Sequence, residues 1–116
     1  MQEKRNLKSL TMTRKLFVLV TAVLISTTSV FAQVGGETGA LTWSLEGGVL
    51  TITGTGEMPD YGYGGAPWYE YKESISTIDI GSNVTSIGSY AFLQCWYLNS
   101  IAIPNSVLNI GNNAFW

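Results

Sequence analysis

Two stretches of the chain are versions of one another, and this constrains the fold more than anything else in it. Residues 75–92 (ISTIDIGSNVTSIGSYAF) and 98–115 (LNSIAIPNSVLNIGNNAF) lie 23 positions apart. Seven of 18 positions are identical: Ile78/Ile101, Ile80/Ile103, Val84/Val107, Ile87/Ile110, Gly88/Gly111, Ala91/Ala114 and Phe92/Phe115. Composition alone would give roughly one match. Six of the seven are apolar and the seventh is glycine, whereas the polar positions drift. A pattern that keeps its apolar residues and lets the others vary belongs to units that stack on each other. Ile78-Asp79-Ile80 and Ile101-Ala102-Ile103 alternate in the manner of short strands with isoleucine facing a core. Gly81 and Pro104 end those strands, since proline cannot continue a ladder. Val84 and Ile87, three apart, predict a turn of irregular or helical backbone, with Ala91 and Phe92 returning to the same core. Gly88 and Gly111 are expected at tight or positive-φ positions. Each unit then reads as one coil of a solenoid, able to bury its inner face only against the next coil.

The phrase Val84-Thr85-Ser86-Ile87-Gly88-x-x-Ala91-Phe92-x-x-Cys95-x-x-Leu98-x-Ser100-Ile101-x-Ile103-Pro104 resembles the BspA-type leucine-rich repeat. The likeness covers about residues 75–116, and residues 41–71 resemble the segment that often precedes the first such repeat. The resemblance implies a solenoid on secreted or surface proteins, largely of bacteria and some protists, several of which adhere to host matrix proteins or other cells. It also implies that Cys95 is a buried, structural thiol. The chain departs from the family in number, with one full repeat and most of a second. It breaks off inside that second repeat, so it is expected to be the first portion of a longer protein whose further repeats cover Val107, Ile110, Phe115 and Trp116.

Charge is segregated. Five of the six basic residues precede position 16, and Leu16–Ile25 is an apolar run followed by serines, threonines and Val30-Phe31-Ala32. A basic start, a short apolar run and small residues at the cut make residues 1–32 a signal peptide, with cleavage after Ala32. The run is about half the roughly 20 apolar residues needed to span a bilayer, so no membrane span is expected after cleavage. Met12 is an alternative start. From Gln33 onward, Lys72 is the single base against seven acids, a net charge of −6. That sign repels phosphate backbones, so nucleic acid is excluded as a partner.

Residues 33–40 are polar and glycine-rich, and are expected as a flexible leader. Leu41–Leu45 and Val49–Thr53 alternate around Glu46-Gly47-Gly48, which predicts a β-hairpin. Glu57–Gly65 reads as a loop, and Pro67 to about Ser74 as a short helix with Trp68, Tyr71 and Ile75 on one face. The expected fold is mainly β, or α+β. A hairpin and short helix over residues 41–74 cap a leucine-rich-repeat solenoid over residues 75–116.

Neither histidine nor a cysteine pair is present, which removes the commonest general base and metal ligand and any internal disulfide. No catalytic, cofactor or metal-binding set is expected, and the chain does not read as an enzyme. Glu57 with Asp60 matches no calcium loop, and Gly54-x-Gly56 lacks the rest of a phosphate loop. Asn83-Val84-Thr85 is a glycosylation sequon by pattern. The candidate ligand-binding residues are the outward strand positions Thr77, Asp79, Ser100 and Ala102. To these are added Trp96 and Tyr97 beside the second strand, and Tyr61 and Tyr63 as the exposed pair in the glycine-rich loop. The expected partner is an extracellular protein or glycan, contacted by a secreted or surface-displayed module. A non-catalytic accessory region of a larger secreted enzyme and a structural spacer are the alternatives.

Overall fold

A computed structural model describes residues 33–116, and the expected signal peptide lies outside the described residues. The chain enters as an antiparallel meander of β1 (Val34–Thr38), β2 (Leu41–Glu46) and β3 (Val49–Gly54). Alternation sends Leu41, Trp43 and Leu45 inward on β2, and Leu50 and Ile52 inward on β3. Gly47 and Gly48 form the two-residue turn between them at φ 59° and 83°. A turn of this hand needs positive φ at both positions and matches the strand twist, so glycine suits both. The flexible leader is corrected: residues 34–38 are paired with β2 along their whole length, and Thr38 is buried. Its glycines hid a strand because the pairing comes from β2, not from β propensity.

Beyond the meander the chain coils. β4 (Gly56–Glu57), β5 (Thr77–Ile80), β6 (Val84–Ile87), β7 (Ser100–Ala102) and β8 (Asn109–Ile110) belong to two sheets, ordered β1-β2-β3-β5-β7 and β4-β6-β8. Every pairing from β3 onward is parallel. Ile78 pairs with Ile101 and Ile87 with Ile110, the 23-residue repeat turned into strand register. Val84–Ile87 is therefore a strand and not an irregular or helical turn. A three-residue apolar interval suits a helical turn as well as a short strand buried at both ends, and the neighbouring coils decide in favour of the strand.

A third line of backbone hydrogen bonds joins the coils where the chain turns back. The amides of Tyr90, Phe92 and Gln94 donate to the carbonyls of Asn112, Ala114 and Trp116 at 3.2, 2.7 and 3.1 Å. Gly88 and Gly111 lie at this corner. Neither is in the left-handed region, but a Cβ on Gly88 would strike the Pro59 carbonyl oxygen, and one on Gly111 the Ser89 backbone. Of the two reasons for glycine, close approach is the operative one. The left-handed positions are Tyr90, Gln94 and Asn113, at φ 57°, 58° and 59°.

Residues 49–75 build a coil of their own. Val49 pairs with Thr77, 28 positions on, and Gly56 with Val84, while the Tyr61 amide donates to the Ser89 carbonyl at 2.9 Å. Trp68 stacks on Phe92 with centroids 5.9 Å apart, and Phe92 meets Phe115 at 5.4 Å with the rings tilted by 34°. This entry coil thus supplies a strand to both sheets and a ring to the aromatic column. The expected short helix is a 3-10 helix, Tyr69–Ser74. Six residues are too few for a stable α-helix, and the tighter turn is the usual form of so short a piece. Trp68 and Ile75 are fully buried, with Tyr71 partly so. Leu50, Ile52, Ile78, Val84, Ile87 and Phe92 complete the core, each contributing roughly 1.5–3 kcal/mol by burial.

Candidate binding site

Parallel register sets side chains of equivalent position into rows across the first sheet. Thr77 stands beside Ser100, and Asp79 beside Ala102 and Thr51. Asp79, Ser100 and Ala102 are exposed and Thr77 is half-buried, while their neighbours Ile78 and Ile80 point into the core. Four expected residues therefore share one outer face, which β3 and β2 continue through Thr51 and Ser44.

Trp96 and Tyr97 occupy the turn that leads into β7 and are 69% and 63% exposed. Their backbone is fixed on both sides. The Trp96 amide donates to the Gln94 carbonyl at 2.8 Å, Leu98 to Cys95 at 3.2 Å, and Asn99 to Ser76 at 2.8 Å. Both large rings therefore stand in water on a well-bonded turn.

Tyr61 and Tyr63 part company. Tyr61 is not exposed as expected: its ring meets Trp68 edge-on at 5.6 Å and its hydroxyl bonds Thr38. Burial raises its pKa, with the Thr38 bond opposing. The glycine-rich loop folds this side chain inward because the core around Trp68 has room for a second ring, which composition does not reveal. Tyr63 is 60% exposed, with ring centroids 6.1 Å from Tyr90 and 6.2 Å from Trp116. Sequence reasoning missed Tyr90 and its neighbour Gln94. Their one signal was position in the repeat, where Tyr90 stands in for Asn113, a residue type that tolerates left-handed backbone.

A polar cleft of about 320 Å³ opens over the second sheet, lined by Glu57, Asp60, Ser86, Ser89, Asn109 and Asn112 among others. The Asp60 carboxylate accepts a hydrogen bond from the Ser89 amide at 2.9 Å, so it fastens the loop to the first coil. No group of three or more His, Cys, Asp or Glu able to hold a metal occurs among the described residues. Cys95 is half-buried, and burial pushes its thiol from an ordinary value of 9.0 to about 11, with Lys72 pulling the other way. A protonated thiol is a poor nucleophile. Asn83 of the sequon is exposed in the turn between β5 and β6. No helix among the described residues is long and apolar enough to cross a membrane.

Comparison with known proteins meets this geometry from outside. The family described as BspA type leucine-rich repeat region (6 copies) matches residues 65–116, beginning inside the entry coil ahead of the first strand of the 23-residue repeat. No curated protein matches the chain. A solved leucine-rich repeat protein from Eubacterium ventriosum is similar at 36% identity, with a TM-score of 0.66 over 72% of this chain. The chain spans 23% of that protein's length. Repeats of this family serve in general as interaction modules and are generally non-catalytic, and the proteins that carry them are typically bacterial and secreted or surface-borne. With matching repeat, register and fold, residues 65–116 are a BspA-type leucine-rich repeat region.

Proposed function

We propose that the chain is an exported binding module, secreted or displayed at the cell surface, that adheres to an extracellular protein. Its contact surface is the outer face of the first sheet together with the Trp96–Tyr97 turn. The observation that carries this reading is the exposure of those two adjacent rings, 69% and 63%, on a hydrogen-bonded turn. Exposed tryptophan and tyrosine are the residue types that dominate binding energy at protein interfaces. A rigid turn also loses little freedom on binding. Thr77, Asp79, Ser100 and Ala102 supply the outward row on β5 and on β7, the strand that this turn leads into. Export rests on the basic start and apolar run of residues 1–32.

The test is surface plasmon resonance of the full chain against a panel of extracellular matrix proteins. Binding is expected, and Trp96→Ala with Tyr97→Ala should weaken it at least tenfold, about 1.4 kcal/mol, without moving the thermal midpoint. A folded protein that binds none of the panel, or binds equally without the two rings, would point to a spacer.

A further inference from the structure

Tyr63, Tyr69, Tyr90, Gln94 and Asn113 form a connected network of rings and amides that shares no residue with the protein-binding surface proposed above. The Tyr69 hydroxyl donates to the Gln94 amide oxygen at 2.9 Å, and the Gln94 amide nitrogen donates to the Tyr63 hydroxyl at 2.9 Å. The Asn113 amide nitrogen donates to the Tyr90 hydroxyl at 3.1 Å. Tyr63 is 60% exposed, and its ring centroid lies 6.1 Å from that of Tyr90. Three members of the network, Tyr90, Gln94 and Asn113, have left-handed backbone. That conformation is unfavourable for tyrosine and glutamine, and departures of this kind gather where a side chain must be aimed.

From this arrangement we infer that the network is a saccharide-binding platform for a neutral pyranose. The aromatic faces carry negative charge density that attracts the weakly positive axial C–H groups of a sugar ring. Around them stand groups with capacity beyond the bonds already made. Gln94 has a second amide hydrogen, Tyr63 and Tyr90 act as acceptors in these bonds and keep their O–H, and Asn113 keeps its amide oxygen. Donors and acceptors placed beside rings match a ligand with an apolar face and a hydroxyl rim. Peptides lack that rim. The net charge of −6 from Gln33 onward disfavours sulfated or carboxylated sugars.

The test is an amide NMR titration of the full chain with methyl β-galactoside, methyl α-mannoside and diacetylchitobiose, with a proline-rich peptide as competitor. At least one saccharide is expected to shift the amides of Tyr63, Tyr90, Gln94 and Asn113. Tyr63→Ala should weaken that binding at least tenfold, and Tyr63→Phe, which keeps the ring, should weaken it less. Gln94→Asn tolerates the left-handed backbone but is too short to bridge the two tyrosines, and it should also weaken binding. Trp96→Ala should leave saccharide binding unchanged, so loss of the protein partner and loss of the sugar are read separately. Saturating saccharide without shifts, shifts confined to other residues, or a response to the peptide alone would overturn the inference.

Discussion

Individual residues in this chain are constrained by how closely backbones approach at the corner of each coil. Gly88 faces the Pro59 carbonyl, a backbone atom that cannot swing aside. Gly88→Ala is expected to destabilise by about 1–3 kcal/mol, the usual range for forced overpacking. Gly62→Ala, where nothing lies within 4 Å of the added carbon, should be close to neutral. Urea unfolding of the two variants checks the contrast. Asn113 is exposed at φ 59°. Asn113→Ala should lower stability by about 1 kcal/mol, whereas Asn113→Gly should match or exceed the parent. Cys95 adds a pH dependence. Its folded pKa is raised by burial, so its contribution is complete below 9.0 and is lost as pH rises through about 11. A Cys95→Ala variant should decline less when melting is followed from pH 8 to pH 11, Tyr61 remaining as a second buried group with a raised pKa, and the native thiol should alkylate slowly at pH 8 until urea is added.

Elements here are specified by their neighbours as much as by their own sequences. Trp68 shows this best: it is fully buried, stacks on Phe92 and donates its indole hydrogen to the Ala91 carbonyl at 2.7 Å. Trp68→Phe keeps a ring but strips a buried carbonyl of its partner, for a loss of about 1–3 kcal/mol. Trp68→Ala should lose about 3–5 kcal/mol, and thermal unfolding would rank the two. The sequence-readable parts were those with period and punctuation: the hairpin around Gly47-Gly48, the isoleucine strands short of Ile103, which lies beyond the end of β7 and is 41% exposed, and the outward row of Thr77, Asp79, Ser100 and Ala102. The entry coil escaped notice because its strand-to-strand interval is 28 residues against 23 in the repeat, a difference taken up around the glycine-rich loop. Alignment by a fixed offset cannot see a coil of another length, although Leu50 and Ile52 alternate as Ile78 and Ile80 do. β1 and β6 were missed for a related reason, since both are made strands by ladders supplied from elsewhere. Of the candidate rings, Trp96, Tyr97 and Tyr63 were legible as exposed. Tyr61 was not, because loop residence says nothing of which way a ring turns.

At the scale of the whole described molecule, the two ends of the stack differ. One end carries the antiparallel meander with β1 outermost, while β7 and β8 are the outer strands at the other. There Ile110, Leu108 and Phe115 are 51%, 79% and 44% exposed. In the parallel register of β5 with β7 and of β6 with β8, a further coil would pair with these strands and cover those side chains.

In-register parallel pairing has a further consequence for what the outer face displays. Thr51, Asp79 and Ala102 follow one another at the separation of hydrogen-bonded strands, about 4.8 Å. Each coil therefore contributes one rung of fixed pitch, and the identity of the side chain on a rung is independent of the rung's position. Substitution at such sites, or exchange of one coil for another, alters the chemistry presented to a ligand while the metric of the presentation stays constant.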